Sequence, residues 1–273
     1  MSKQTANILR YTFLSICAVL VLFPLLFLAM SSLKTNDELF SSAFSLPQTP
    51  QFSNYVEIFT KFNQHIYFFN SLFYAVTVCI IGAIIDAAAA YAIGRMHWKL
   101  SKAALMLLLA GIMIPLHAIL VPLYIVVSRF RMSNQMTLML LFVASTIPTS
   151  VFLITGFLDN VPRAVEESAV IDGCSIPRMF VSVVCPIIMP ALATVTIFNF
   201  MGVWNDLLLS LIFLTDERHK TLQLSIMRFK DAYFSNYGML LTAIMISILP
   251  SIVVYLVMSD RIISGLTSGS VKG

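Results

Sequence analysis

Apolar residues in this chain run on in long blocks, and the polar residues gather in the gaps between them. Blocks at 11–30, 70–93, 103–127, 136–158, 190–214 and 239–258 carry few charges. A helix rises about 1.5 Å per residue, so about 20 residues cross a hydrocarbon core of roughly 30 Å, and every block meets that length. In lipid each backbone polar group needs a partner, which leaves helices or a closed barrel. The alternating segments of about ten residues that build a barrel do not occur. The pattern predicts an all-α membrane protein of six spans, one domain over residues 1–273, with the lipid bilayer as a partner.

The first block follows a short basic start and exceeds the apolar core of a signal peptide. The SSLK after it, at 31–34, is a poor cleavage site, so the block reads as a retained span. Polar connections fall at 34–69, 94–102, 128–135, 159–189 and 215–238. The first holds Pro47, Pro50 and several aromatics, and either folds as a small cap or lies along the interface. Six spans put both ends on one side. Lys and Arg divide about nine to about eight between the two sides, too evenly for the positive-inside rule to orient the chain.

Composition removes several function classes. The chain is 59% hydrophobic and 11% charged, where a soluble domain carries about a quarter charged residues. A scattered net charge of +4 is no footprint for nucleic acid. Cys17, Cys79, Cys174 and Cys185 are too dispersed for a disulfide framework. His65, His97, His117 and His219 show no ligand spacing, so we expect no metal. A GxSxG elbow or other catalytic motif is missing, so no catalytic residue is assigned. A GxxxxGKS or GxxxxGKT loop is missing too, so the chain has no nucleotide site of that type.

The connection at 159–189 is the most informative, and with Pro190 it reads DNVPRAVEESAVIDGCSIPRMFVSVVCPIIMP. Asp159 or Asn160 can cap a helix, Pro162 suits its first turn, and Gly173 can take the left-handed conformation that ends it about three turns later. Val161, Val165, Ser168, Ala169 and Asp172 fall near one face, with Arg163, Glu166 and Val170 elsewhere. Ser175 caps a second helix with Pro177 in its first turn. Two short helices with small residues on top can sit as a peg in a partner's groove.

This stretch resembles the cytoplasmic coupling loop of ATP-binding-cassette importer permeases: Glu-Ala-Ala, three residues, Gly, nine residues, Ile, one residue, Leu, Pro. Here the pattern becomes Glu167, Ser168, Ala169, then Gly173, then Val183, Cys185 and Pro186; Ser168, Val183 and Cys185 depart from it and keep small or apolar character. AAAAYAIGR at 87–95, IPLHAILVPLY at 114–124, GVWNDLLLSLIFL at 202–214 and SGLTSGSVKG at 264–273 are similar to the maltose-type carbohydrate subfamily. The resemblance implies a bacterial inner-membrane location with both termini cytoplasmic. It also implies a second, homologous permease subunit, two ATPase subunits that hold ATP and Mg, and an extracytoplasmic sugar-binding protein. No cofactor is implied in this chain. Glu166, Glu167, Ser168, Ala169, Asp172 and Gly173 would dock on the ATPase. The tail Gly269, Ser270, Val271, Lys272 and Gly273 would reach the interface between the two ATPases.

Within the spans, Asn199, Val203, Asp206 and Ser210 follow helical spacing and form a partly polar stripe, flanked by Trp204 and Asn205. An ionisable group in lipid faces a cavity or a partner, so Asp206 either lines a translocation path or bonds a neighbouring span. Asp86 in the second span reads the same way. Pro115, Pro122 and Pro148 interrupt spans three and four and free carbonyls that need other donors, such as Ser145, Thr146, Thr149 and Ser150. A secondary transporter driven by an ion gradient through Asp86 and Asp206 is the rival reading. The importer class carrying a glycerol phosphate ester is another, because that subfamily shares the loop and tail. The sequence does not name the sugar.

Overall fold

A computed structural model describes residues 3–96, 98–130, 132, 134–232 and 236–268, apart from the side chains of 3, 6, 228–232 and 260–268. The regular elements among them are all helical: α1 (Lys3–Ser31), α2 (Asn36–Ser41), α3 (Ser53–Thr60), α4 (Gln64–Gly94), α5 (Ser101–Met113), α6 (Leu116–Ser128), α7 (Asn134–Leu158), α8 (Ala164–Ile171), α9 (Ile176–Met179), α10 (Cys185–Trp204), α11 (Leu208–Phe213), α12 (Leu222–Ala232) and α13 (Tyr237–Ser268). Among the described residues, five helices are long and apolar enough to cross a membrane, or six crossings result if α5 and α6 together make one. The chain divides into two compact units, Met1–Phe68 with Leu224–Pro250 and Phe69–Gln223 with Ser251–Gly273.

In the first unit α1 exposes large apolar side chains such as Ile8, Phe13 and Leu20, the surface of a helix solvated by lipid. The connection at 34–69 folds as a cap built on α2 and α3. Thr35 closes a capping box on α2: its hydroxyl accepts the Glu38 N–H at 3.3 Å, and the Glu38 carboxylate accepts the Thr35 N–H at 3.3 Å. Lys34 is fully buried and donates through Nζ to the carbonyls of Ser42 and Ala43 at 3.0 and 2.8 Å, where the C-terminal end of α2 favours a cation. Ile58 of α3 packs with Met239, Ala243 and Ile246 of α13.

The second unit is built around α4, α7 and α10. Ala87 and Ala90 on α4 join Val151, Ile154 and Leu158 on α7 and Ile188, Ala191 and Val195 on α10 in one buried cluster. The alanine run lets the helix axes approach closely, because no side chain there extends past Cβ. A Cβ added at Gly94 would stand 3.2 Å from Thr155 Cγ2, so the α4 backbone packs directly on an α7 side chain at that point.

Three elements differ from the sequence expectation. The third block is two helices of 13 residues each, bent by 106° at Pro115. Ile114 before that proline is extended, at φ −86° and ψ 113°, as the ring clash of a following proline requires. The helix expected to run through 190–214 stops at Trp204, because Asn205 Nδ2 takes the Met201 carbonyl and Asp206 takes the N–H groups of Leu209 and Ser210, which favours a turn. The second short helix, α9, runs on through a π-turn at Phe180–Val184 into α10. Pro186 has no N–H for the carbonyl four residues back, and the ladder widens just upstream.

Candidate functional site

The loop after α7 is organised by α8, an eight-residue helix where the sequence predicts about three turns. Glu166 and Glu167 occupy its first turn, the end where the helix dipole favours negative charge. Gly173 stands at φ +79° just past its end. Gly173 N–H donates to the Val170 carbonyl at 3.0 Å and Cys174 N–H to the Ala169 carbonyl at 3.0 Å, the paired bonds of a Schellman stop. A residue with a Cβ is strained there by about 1–2 kcal/mol, which explains the glycine. Ser175 has the extended N-cap backbone at the start of α9, without a side-chain cap bond.

Of the residues assigned to docking, Ala169 is buried, and Glu167, Ser168, Asp172 and Gly173 are exposed. Val170, Ile171 and Ile176 form an uncovered apolar face beside them, Ile171 being 85% exposed. Glu166 does something else. Its carboxylate lies 3.3 Å from Arg95 Nε, and Tyr91 O–H donates to its other oxygen in a long hydrogen bond of 3.5 Å. Arg95 Nη2 donates to the carbonyls of Leu158 and Val161. Tyr91, Arg95, Glu166, Glu167, Ile171 and Met179 line a groove of about 630 Å³.

Farther along α4, Asp86 is fully buried. Asn199 Nδ2 of α10 donates to Asp86 Oδ2 at 3.4 Å and to Ser150 Oγ of α7 at 3.2 Å, and Ser150 O–H returns a bond to Asn199 Oδ1 at 3.5 Å. Three helices therefore meet at one polar node. Asp206 is not on this stripe. It accepts the N–H of Leu209 at 3.4 Å and of Ser210 at 2.9 Å, capping α11. Trp204 is buried and stacked on Phe200 with centroids 5.8 Å apart, Ser210 is buried, and Asn205 is exposed. Of the candidate path residues only Asn199 joins the node.

The other end of α4 holds the connection before α12. Asn70 Nδ2 donates to the Arg218 and Lys220 carbonyls at 2.8 and 3.0 Å, Tyr74 O–H to the His219 carbonyl at 3.0 Å, and Leu222 N–H to Ser71 Oγ at 2.8 Å. The sequence reading missed this clasp, whose signal was three polar side chains at 70, 71 and 74 opening an otherwise apolar span. In the same loop the Arg218 guanidinium and backbone N–H hold the Asp216 carboxyl down at about 2. Among the described residues no group of three His, Cys, Asp or Glu side chains could hold a metal ion. The tail Gly269 to Gly273 and His97 lie outside the described residues.

The long apolar helices, with a short-helix loop after α7, are those of a chain that crosses a membrane several times. Residues 87–264 match the family described as binding-protein-dependent transport system inner membrane component. The chain is 33% identical to the probable ABC transporter permease protein YurM of Bacillus subtilis, over 96% of this chain and 88% of that one. It is 32% identical to the diacetylchitobiose uptake system permease protein NgcG of Streptomyces coelicolor, over 97% of this chain and 88% of that one. A crystal structure of a bacterial ABC transporter involved in the import of the acidic polysaccharide alginate shares the fold at a TM-score of 0.83 and 20% identity, covering 95% of this chain and 98% of that one. This chain belongs to the family of binding-protein-dependent transport system inner membrane components. It is a multi-pass permease of the ABC importer class and not an enzyme.

Proposed function

We propose that this chain forms half of the translocation path of an ATP-driven carbohydrate importer and takes its energy from a separate ATPase. The observation that carries the energy-coupling part is the α8 loop: a short helix with a glycine stop, presenting Glu167 and an exposed apolar Ile171 beside a groove. Such a peg fits a partner's surface and has no role in a permease that works alone. The carbohydrate part is supported by relatives named for diacetylchitobiose uptake and for multiple-sugar-binding transport. In this reading α8 and both termini are cytoplasmic. Glu167, Ser168, Asp172 and Gly173 seat on the ATPase, where ATP and Mg are held, with Ala169 behind them against the bundle. The tail at 269–273 reaches toward the joint between two ATPase subunits. A homologous permease completes the path, and a binding protein outside delivers sugar. ATP acts only through its different affinity for the inward- and outward-facing states.

The test is to purify the assembled complex and measure whether ATP hydrolysis rises with the binding protein loaded with each candidate sugar or a glycerol phosphate ester. Stimulation by one loaded ligand is expected. Uptake by this chain alone in vesicles, abolished by an ionophore, would overturn the proposal in favour of an ion-driven transporter.

A further inference from the structure

We infer that Arg95 is the positioning residue that joins the α8 loop to the bundle, so that a displacement of α8 is carried into α4 and α7 through its guanidinium. This inference rests on the reading of the α8 loop as the ATPase-docking element, and it concerns how that element is attached.

Apolar packing alone attaches α8 weakly. Ala169 is its one buried residue, and a single methyl offers little grip on the bundle. The polar attachment is more extensive. The Arg95 side chain is 5% exposed, and a buried guanidinium persists only where charge and hydrogen-bond partners surround it. Its partners come from three places: the last residue of α7 through the Leu158 carbonyl, the linker through the Val161 carbonyl, and α8 through Glu166. The carbonyls at the end of α7 carry the negative pole of that helix, which suits a cation. Tyr91 in the last turn of α4 reaches the second Glu166 oxygen, so that turn and the residue just past it grip one carboxylate. Nη2 serves the two carbonyls while Nε faces the Glu166 carboxylate as an ion pair, and a lysine ammonium, a single point charge, cannot reproduce that spread. Gly94 keeps α4 against Thr155 of α7 beside the guanidinium, which fixes its base.

The two adjacent carboxylates thus divide the work. Glu167 faces outward to the partner, and Glu166 faces inward to the clamp.

The test uses the complete complex in vesicles, with sugar uptake per ATP hydrolysed as the readout, a ratio that a general loss of folded protein leaves unmoved. Arg95→Gln and Glu166→Gln complexes that retain the ATPase are expected to lose this ratio by about tenfold, with Arg95→Lys recovering part of it. Because Arg95→Gln strips three partners and can fail to assemble, Glu166→Gln decides in that event: it keeps the side-chain volume and leaves both carbonyl bonds intact. An assembled Glu166→Gln complex with the wild-type ratio overturns the inference alone. A wild-type chain that retains no ATPase overturns the docking reading, and the inference with it.

Discussion

The two ends of α4 within the second unit hold loops in opposite ways. At residues 70–74, side chains of α4 capture backbone carbonyls in the middle of the loop, at Arg218, His219 and Lys220. At residues 91–95, roughly 30 Å along the helix, α4 captures carbonyls only at the root of the loop and reaches the loop helix through a side-chain ion pair. A loop held by its own backbone has one arrangement whatever side chains it carries. A helix held by an ion pair and one methyl, with Val170, Ile171 and Ile176 uncovered, is a handle. The contrast marks one end of the unit as fixed and the other as the place where an outside force can act.

The largest effect is expected at Gly173. Valine there must adopt a positive φ at a cost of about 1–2 kcal/mol, roughly tenfold in the balance of loop conformations. No neighbouring atom lies within 4 Å of its Cβ position, so the effect is conformational and not steric. Gly173→Val is expected to raise ATP hydrolysis without matching uptake in the reconstituted complex, and Gly173→Asn to stay near wild type, because asparagine tolerates this region. The next effect is at the polar node between the ends. Asn199→Leu leaves the fully buried Asp86 without its amide donor, which costs about 1–3 kcal/mol and is expected to lower the melting temperature in detergent.

A smaller effect is expected at the fixed end. Asn70→Ala removes two bonds to carbonyls, and at about 1 kcal/mol each the loss should show as faster amide hydrogen exchange over residues 216–221, with no change at α8. The smallest is pH dependence in the same loop. The Asp216 carboxyl lies near 2 because Arg218 binds its charged form, below the ordinary value of 3.8. A lowered carboxyl contributes order that is complete above the ordinary value and is lost only as pH falls toward 2. Protection of residues 216–221, taken against the intrinsic exchange rate at each pH, should therefore be flat from pH 8 to pH 5, and Asp216→Asn should differ from wild type by a constant factor in protection across that interval.

Much of this was legible in the sequence where the cause is local. Apolar length alone accounts for the five long helices, and the left-handed stop at Gly173 follows from the residue type, although α8 starts at Ala164 and not after a cap at Asp159 or Asn160. Adjacent positions on a helix point about 100° apart, so the divergence of Glu167 from Glu166 was legible, although Ala169, expected on a different face, is buried on the inward side with Glu166. The partner of Glu166 was not, because Arg95 lies at the end of a different helix and only the packing of α4 on α7 brings the two together. The polar stripe through Asp206 failed for a local reason. Helical spacing was carried past Asn205, where two turn-forming residues end α10 and set Asp206 to capping the next helix.

Whether the exposed face of α8 is the handle is decided by cysteine cross-linking. Ile171→Cys, placed in a background with Cys17, Cys79, Cys174 and Cys185 replaced by serine, puts a thiol at the most exposed point of that face. A short bifunctional reagent is expected to join this position to the ATPase subunit in isolated membranes, with a yield that changes when ATP is bound, and an impermeant thiol reagent outside intact cells is expected not to reach it. Labelling from outside, with no cross-link to the ATPase, would show that α8 is not the handle.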